Sequence, residues 1–294
     1  MIRSLLFLPG NTPNILINGD VLGADAVILD LEDAVSPGEK DAARILVRNA
    51  LQKMGFQCQV VVRINALDTG LWERDLEEII PCKPMAIMPP KTAGSADVEN
   101  LDRAIARLES KHKIPVGSIR LIPLLETALG VENAYAIASA SPRVQGLFLG
   151  GEDLTADLRC QRTKEGREID YARHRVINAA RAAGVAAFDT PFTDVNDDDG
   201  IQQDALFAKS LGFTGKAAIS PRHVGAINQV FSPTPAEVAY AQEVMAAIAE
   251  AKAQGRGAIS LHGKMVDAPI VTRARQTLEA ANILGMIGGQ PNGD

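Results

Sequence analysis

The segments Ile119–Glu126 (IRLIPLLE) and Val144–Asp153 (VQGLFLGGED) each end an apolar run in a carboxylate. Their uniform hydrophobicity is typical of buried parallel strands, and Glu126 and Asp153 stand where the two strands end. A buried carboxylate is unfavourable unless it is paired or bound to a cation. Two of them at the ends of consecutive strands therefore predict an oxygen-ligated metal, with Mg2+ the best match. The alternative is that each carboxylate only caps the helix that follows.

Short apolar runs alternate with amphipathic stretches along most of the chain. Eight runs read as strands: Ser4–Leu8, Ala26–Leu31, Val60–Ile64, Ala86–Met88, Ile119–Leu125, Gly146–Leu149, Ala186–Phe188 and Ala217–Ile219. Apolar residues at spacings of three and four predict helices between them, at Glu39–Lys53, Ala96–Lys111, Val131–Ala140, Asp170–Ala183 and Ile201–Leu211. Eight strand–helix units predict an α/β fold of the (β/α)8 TIM-barrel type, with a doubly wound sheet as the alternative.

The chain continues beyond what a minimal barrel needs. We therefore predict a barrel over residues 1–232 and a C-terminal helical extension with a lid segment over residues 233–294. In the extension, a helix over Pro235–Gln254 is followed by a break at Gly255–Gly257 and an irregular stretch at Ile259–Pro269. A last helix is expected near Ile270–Leu284.

Composition excludes several classes of protein. The net charge of −6 and the pI near 5.4 argue against a nucleic-acid partner, which needs a basic surface. No apolar run approaches the roughly 20 residues of a membrane span. The three cysteines are widely spaced and form neither a disulfide framework nor a CxxC pair. These features predict a soluble cytoplasmic protein.

Polar residues collect at the predicted C-terminal ends of the strands, where a barrel has its active site. They include Pro9-Gly10-Asn11, Asp30 to Asp33, Arg63 with Asn65, Lys91, Asp189-Thr190 and Ser220-Pro221-Arg222. Alternation places Asp30 and Glu32 on one face of their strand. Arg63 can either grip a substrate carboxylate or neutralise Asp30 or Glu32, and both roles can hold together. We expect Asp189 to be structural.

The turn at Gly150-Gly151, before Glu152, has two interpretations. It can present backbone N–H groups to an anion, or it can simply be a tight turn.

Eight short motifs follow one another in the order found in a known family: LLFLPGN, ILDLEDAV, VVRINAL, PPKT, PLLET, GGEDL, FDTPF and GKMVDAP. The chain, from Ser4 to about Gly285, resembles the citrate lyase β-subunit-like (CitE-like) proteins of the HpcH/HpaI aldolase superfamily. Leu158–Arg173 and the segment HGKMVDAPIVTRAR are most similar to the branch that cleaves citryl thioesters. The resemblance implies a Mg2+-dependent barrel.

The resemblance also implies roles for individual residues. Glu126 and Asp153 are the expected Mg2+ ligands, with Glu126 also facing substrate. Arg63 is the expected catalytic and substrate-binding cation, and the backbone at Gly151 and Glu152, with Pro9 and Gly10 of the first strand end, completes the substrate site. For the catalytic base we favour Asp267, reaching in from an adjacent subunit, over Glu32 and Asp33. Superfamily aldolases that act on pyruvate carry a His near the second strand, where this chain has Glu32-Asp33.

The implied reaction is cleavage of a citryl thioester, on acyl carrier protein or coenzyme A, to oxaloacetate and an acetyl thioester. The implied partners are the citrate lyase alpha and gamma subunits and further copies of this chain. The main alternative is a stand-alone malyl-CoA or citramalyl-CoA lyase, thioesterase or synthase with the same site. A non-catalytic thioester-binding barrel is a third interpretation, which the acid pair and Arg63 disfavour.

Overall fold

A computed structural model describes residues 1–253 and 259–287 of the chain. These residues form two compact units, one of Ile2–Gln229 and one of Met1 with the segment from Val230 onwards. The predicted break at Gly255–Gly257 and the last seven residues lie outside the described part. Among the described residues, no helix combines the length and the hydropathy needed to cross a membrane.

The larger unit contains one parallel sheet. Its strands are β1 (Ser4–Pro9), β2 (Ala26–Asp30), β3 (Gln59–Arg63), β4 (Ala86–Met88), β5 (Arg120–Leu121), β6 (Leu124–Leu125), β7 (Gly146–Leu149), β8 (Ala186–Asp189) and β9 (Gly215–Ala218). They lie in the order β5-β4-β3-β2-β1-β9-β8-β7-β6. The two edge strands, β5 and β6, are halves of one segment that Ile122 and Pro123 interrupt.

The segment that contains β5 and β6 closes the sheet into a barrel, because it bonds a strand on each side. Ile122 N–H donates to the Ile87 carbonyl at 3.0 Å, and Phe148 N–H donates to the Pro123 carbonyl at 3.0 Å. The broken segment thus bonds β4 on one side and β7 on the other. Pro123 has no N–H to donate, which explains the gap in the ladder. The predicted TIM-barrel fold is confirmed, with eight strand positions.

Helices follow the strands around the barrel. They are α1 (Pro13–Asn18), α2 (Lys40–Lys53), α3 (Trp72–Ile79), α4 (Ser95–Lys111), α5 (Ala128–Glu132), α6 (Ala134–Ser139), α7 (Gly151–Asp157), α8 (Asp170–Ala183), α9 (Asp198–Leu211) and α10 (Pro221–Phe231). The single helix predicted at Val131–Ala140 is wrong, because the structure breaks it at Asn133. The Asn133 side chain donates to the Ala93 carbonyl at 2.8 Å, which ties this break to the preceding loop.

Strand alternation fills the barrel interior and directs the site. One buried apolar cluster fills the interior and includes Leu5, Ile28, Val61, Met88, Leu124, Phe148 and Phe188. Asp30 is two residues beyond Ile28, and Arg63 is two beyond Val61, so both side chains point the same way as the core. The strand register places Asp30 directly beside Arg63. The core therefore ends in a charged layer at the C-terminal mouth.

The smaller unit contains α11 (Pro235–Ala253), strands β10 (Ile259–Leu261) and β11 (Lys264–Val266), and α12 (Ala268–Ile283). Ala241, Val244, Val266 and Ala274 form its buried centre. The prediction of an irregular stretch at Ile259–Pro269 is wrong, because β10 and β11 form an antiparallel hairpin. Its two-residue turn, His262-Gly263, has positive φ at both positions, as a type I′ turn requires.

Candidate active site at the C-terminal mouth of the barrel

A cavity of about 320 Å3 lies at the C-terminal ends of the strands. Its acidic lining residues are Asp30, Asp33, Glu126, Glu152 and Asp153, and its lining cation is Arg63. Phe7, Leu124, Phe148 and Ile219 supply apolar walls. Five carboxylates facing one cation in a confined space favour the binding of a further positive charge.

Arg63 is held in a fixed orientation. Its Nε and Nη2 donate to the two carboxylate oxygens of Asp30 at 2.7 and 2.6 Å. Its Nη1 lies 3.0 Å from Glu32 Oε2, and the Phe7 ring packs 5.1 Å from the guanidinium carbon. Burial alone would lower the pKa of Arg63, but Asp30 and Glu32 raise it, so the group stays charged. The ion-pair role considered for Arg63 is therefore present in the structure, and substrate contact stays a prediction.

Glu126 is buried beside other acids. Its Oε1 accepts the Lys91 backbone N–H at 2.8 Å, and its side chain is only 3% exposed. Burial raises the pKa of Glu126 to about 8, and the charges of Asp153 and Glu32 contribute to this increase. A carboxyl group in such surroundings is ionised at neutral pH only when a cation compensates it.

Asp153 was predicted at the end of its strand, but β7 ends at Leu149 and Asp153 lies in the first turn of α7, two residues after Gly151. A Cβ atom at Gly150 would lie 2.7 Å from Glu126 Cβ and 2.8 Å from Glu126 Oε2, so only glycine fits there. The Gly151 N–H donates to the Thr190 hydroxyl at 2.9 Å. The two carboxylates are thus brought to one cavity by a turn that packs directly on Glu126.

Glu126 and Asp153 suit Mg2+ as a donor set. Both offer hard oxygen atoms, and Mg2+ typically takes one or two carboxylates and fills its remaining positions with water and substrate oxygens. Within the described residues, no group of three or more His, Cys, Asp or Glu side chains has metal-binding geometry. A site with two protein carboxylates would leave the remaining positions of the ion open to water and a ligand.

Two of the predicted candidates for the catalytic base, Glu32 and Asp33, lie on the barrel and differ in solvent exposure. Glu32 is 5% exposed, lies between Arg63 and Lys91 Nζ (3.0 Å), and has a pKa raised mainly by burial. The Asp33 side chain is 54% exposed, lies 3.7 Å from Arg63 and lines the cavity. Asp33 is thus the more accessible of the two.

Lys91 belongs to the site although it was absent from the predicted catalytic and binding residues. Its backbone N–H holds Glu126, its amine neutralises Glu32, and its φ of 51° is unusual for a residue with a side chain. Its position at the end of the fourth strand was the sequence signal that pointed to it. Its double contact depends on a backbone conformation that the sequence does not announce.

The remaining predicted residues lie in different settings. The cavity lining includes Pro9, Gly151 and Glu152, but among the described residues it does not include Gly10. Gly10 is buried, and its N–H donates to the Asp30 carbonyl at 2.8 Å. Asp267 belongs to the smaller unit, where it caps α12 by accepting the Ile270 N–H at 3.2 Å. The roles assigned to Gly10 and Asp267 stay predictions.

Asp189 is structural, as expected. It is fully buried, and it bonds Arg173 (2.9 Å) and Lys216 (2.6 Å), two cations that are themselves fully buried. Although burial opposes ionisation, these two cations lower the pKa of Asp189. Asp204 completes the cluster at 2.7 Å from Arg173 and 2.6 Å from Lys216.

The fold and this acidic mouth define a class of α/β-barrel proteins with an acidic cavity at the C-terminal ends of the strands. Residues 3–221 match the model of the HpcH/HpaI aldolase/citrate lyase family, and the chain belongs to that family.

The chain is similar to individual proteins of known name over nearly its whole length. The chain is 42% identical over 99% of its length to the citrate lyase subunit beta of Leuconostoc mesenteroides subsp. cremoris, 96% of which is covered. It is 31% identical over 95% of its length to the mitochondrial citramalyl-CoA lyase of Rattus norvegicus, 86% of which is covered. The crystal structure of CitE from Mycobacterium tuberculosis, in complex with magnesium, acetoacetate and coenzyme A, matches 95% of this chain and 98% of its own. That match has a TM-score of 0.77 and 32% identity.

Proposed function

We propose that the protein is a Mg2+-dependent carbon–carbon lyase that cleaves a citryl thioester to oxaloacetate and an acetyl thioester. The observation that carries this proposal is the placement of Glu126 and Asp153 in one cavity with Arg63. Family membership and the high identity to a citrate lyase subunit beta support it. A relative crystallised with magnesium and coenzyme A supports both the cation and the thioester.

The residues of the chain divide the work of binding. Glu126 and Asp153 would hold Mg2+, which when bound supplies Lewis acidity toward the substrate hydroxyl and carboxylate. Arg63, oriented by its two bonds to Asp30, would bind the carboxylate of the oxo-acid half and stabilise its charge. The backbone at Gly151 and Glu152 and the first strand end at Pro9 and Gly10 would complete the contact with this half.

Cleavage requires a base for the substrate hydroxyl. The base takes the hydroxyl proton, the bond between the carbinol carbon and the thioester α-carbon breaks, and the electron pair leaves with the thioester enolate. Protonation of the enolate gives the acetyl thioester. We propose Asp267 of an adjacent subunit as this base, with Asp33 and Glu32 as alternatives. The exposure of Asp33 in the cavity makes it the stronger alternative on the barrel.

The base assignment is tested by Asp267→Asn and Asp33→Asn, each measured for turnover and for Mg2+ binding. Loss of turnover with intact Mg2+ binding in only one variant identifies the base. Unchanged turnover in Asp267→Asn removes the C-terminal segment from the mechanism.

The second candidate is a stand-alone citramalyl-CoA or malyl-CoA lyase, thioesterase or synthase. It is favoured by the relative named citramalyl-CoA lyase, which matches nearly the whole chain. The residues that we assign act on the hydroxy-acid half of the substrate, which all these thioesters share. The site therefore does not separate the two candidates, and a substrate comparison must.

We further propose partners and organisation. A thioester on acyl carrier protein or coenzyme A is the substrate class, and citrate lyase alpha and gamma subunits together with a homo-oligomer are the proposed assembly. We propose the cytoplasm as the location. We also propose residues 1–232 as the catalytic domain and 233–294 as a helical extension whose segment around Asp267 closes over a neighbouring site.

The deciding experiment is product analysis of the purified protein with Mg2+ and citryl-CoA, (S)-malyl-CoA or citramalyl-CoA in separate reactions. Oxaloacetate from citryl-CoA alone, abolished by EDTA, supports the primary proposal. Glyoxylate from malyl-CoA or pyruvate from citramalyl-CoA supports the second candidate. If none of the three reacts, the same assay with citryl-loaded acyl carrier protein and partner subunits distinguishes a complex-dependent lyase from a non-catalytic thioester-binding barrel.

A further inference from the structure

Thr190 links the cavity to a buried cluster of charges. It follows β8, is 1% exposed and lines the cavity. Its hydroxyl accepts the Gly151 N–H at 2.9 Å, and its carbonyl accepts the Lys216 amine at 2.6 Å. One face of this residue therefore contacts the start of α7, and the other is anchored in the protein interior.

We infer that Thr190 is a positioning residue of the metal site, which fixes the first turn of α7 and thereby sets Asp153 opposite Glu126. The inference rests on the proposed function, because it assumes that these two carboxylates hold Mg2+. Thr190 itself need not touch the metal or the substrate to act in this way.

The Gly151 N–H needs an acceptor from outside its helix. It lies in the first turn of α7, where backbone N–H groups have no intrahelical partner, and Gly151 is buried. A Cβ atom at Gly151 would lie 2.8 Å from Thr190 Oγ1 and 3.2 Å from Arg162 Nε, so the turn is closely packed. Without the hydroxyl, this turn would have to move to satisfy its N–H.

Movement of the turn would separate the two carboxylates. Gly150 packs on Glu126, Gly151 packs on Thr190, and Asp153 follows two residues later in the same helical turn. The distance between the two proposed ligands therefore depends on both glycine contacts. A site that supplies only two protein ligands is sensitive to such a displacement.

The buried cluster explains why Thr190 itself is fixed. Lys216 bonds the Thr190 carbonyl and Asp189, and it lies 2.6 Å from Asp204. Lys216, Arg173 and Asp189 are fully buried. Charges buried at this depth stabilise a fold poorly compared with apolar packing, and here they hold the Thr190 carbonyl at a fixed distance from Lys216. Thr190 connects this cluster to α7, because its carbonyl bonds Lys216 and its hydroxyl bonds the Gly151 N–H.

The test compares Mg2+ binding in Thr190→Val, which removes the acceptor, and Thr190→Ser, which keeps it. Thr214→Val is the matched control, because the Thr214 hydroxyl also accepts a backbone N–H, that of Ala187 at 3.1 Å, at the opposite end of β8. Calorimetric titration with MgCl2 gives the Kd, and thermal unfolding of the metal-free proteins gives Tm.

We expect Thr190→Val to weaken Mg2+ binding by about 10-fold to 100-fold. Thr190→Ser should stay within about threefold of wild type, and Thr214→Val should lower Tm without changing the Kd. Wild-type affinity in a folded Thr190→Val protein overturns the inference. Equal losses in the valine and serine variants also overturn it, because they assign the effect to packing of the methyl group.

Two further outcomes of this experiment are informative. If wild-type protein does not bind Mg2+, the proposed function fails together with the inference, a result distinct from failure of the Thr190 variants alone. If Thr190→Val does not fold, Gly151→Ala perturbs the same contact from the other side. Its expected loss of Mg2+ affinity is at least about 10-fold, and an unchanged Kd contradicts the inference.

Discussion

Glu126→Gln is expected to stabilise the metal-free protein and to abolish its response to Mg2+. Burial and the neighbouring charges of Asp153 and Glu32 raise the pKa of Glu126 from 4.5 to about 8. The unfolded chain therefore binds fewer protons than the folded chain between these pH values. Consequently the stability of the metal-free protein falls as the pH rises through this range.

The size of the effect follows from the same pKa difference. Ionising Glu126 in the metal-free protein costs at most about 5 kcal/mol of folding free energy. Glutamine removes the charge and keeps an oxygen for the Lys91 N–H, although its amide must still be solvated in the cavity. We therefore expect a gain of about 2 kcal/mol, or a Tm higher by roughly 5 °C, at about pH 9. Near pH 5 the gain should vanish, because wild-type Glu126 is then protonated.

The assay is thermal unfolding of both proteins at about pH 5 and about pH 9, with EDTA or with MgCl2. A hundredfold excess of Mg2+ over its Kd should add about 3 kcal/mol to wild type and nothing to the variant, which reverses their order. Glu109→Gln is the control of opposite sign: Glu109 is also buried, but Arg143 lowers its pKa despite burial, so this variant should lose stability at neutral pH. Equal Mg2+ stabilisation of wild type and Glu126→Gln refutes the metal assignment, and equal metal-free stability at high pH refutes the electrostatic argument.

Three further perturbations have defined outcomes. Gly150→Ala should raise the Mg2+ Kd at least about tenfold, because its Cβ would lie 2.8 Å from Glu126 Oε2. The control is Gly225→Ala, whose Cβ would meet no atom within 4 Å and which should leave the Kd from calorimetry unchanged. Arg63→Lys keeps the charge but loses the pair of hydrogen bonds to the Asp30 carboxylate. Steady-state kinetics should show kcat/KM reduced by about 100-fold or more, and urea unfolding should show the free energy of unfolding reduced by about 2 kcal/mol. Hydrogen bonds from Thr163 and Arg162 outweigh burial and lower the pKa of Glu168 to about 2. Ionised Glu168 therefore stabilises the fold above about pH 4.5, and this contribution is lost as the pH falls toward 2. Acid unfolding should show that the stability of Glu168→Gln depends less on pH than that of wild type.

The barrel and its charged mouth were predictable because both depend on strand alternation. Uniformly apolar runs identified the strands, and residues two positions beyond the last core residue faced the cavity, which located Asp30 and Arg63. The same rule located Glu126, which is two residues beyond Leu124. The prediction that Asp153 ends its strand is wrong, because β7 ends at Leu149 and Asp153 lies in the first turn of α7, although it does line the cavity. Pattern and position were sufficient here because a parallel strand has few ways to place its side chains.

Other features depend on local conformation and were not predictable in this way. The double contact of Lys91 requires a positive φ at a residue with a side chain, and the contact between Thr190 and Gly151 joins residues 39 positions apart. The hairpin of the smaller unit turns at His262-Gly263, without the Asn-Gly or Asp-Gly pair that marks such turns most strongly. Each case is decided by backbone torsion or long-range packing, which composition and period do not encode.

The acids that make the metal-free site unfavourable also favour the binding of a cation there. Glu126 has a raised pKa because Asp153 and Glu32 lie near it, and a divalent ion at this position would reverse the sign of that interaction. The charge of Arg63, which is paired with Asp30, lowers the pKa of Glu126 but does not offset the increase. The repulsion has to be maintained by structure, because relaxed carboxylates would move apart. We propose that this constraint comes from the glycine turn that packs on Glu126, the hydroxyl of Thr190 and the buried charges beneath it. If Glu126 and Asp153 hold Mg2+ as proposed, the affinity should depend on these supports as well as on the two carboxylates.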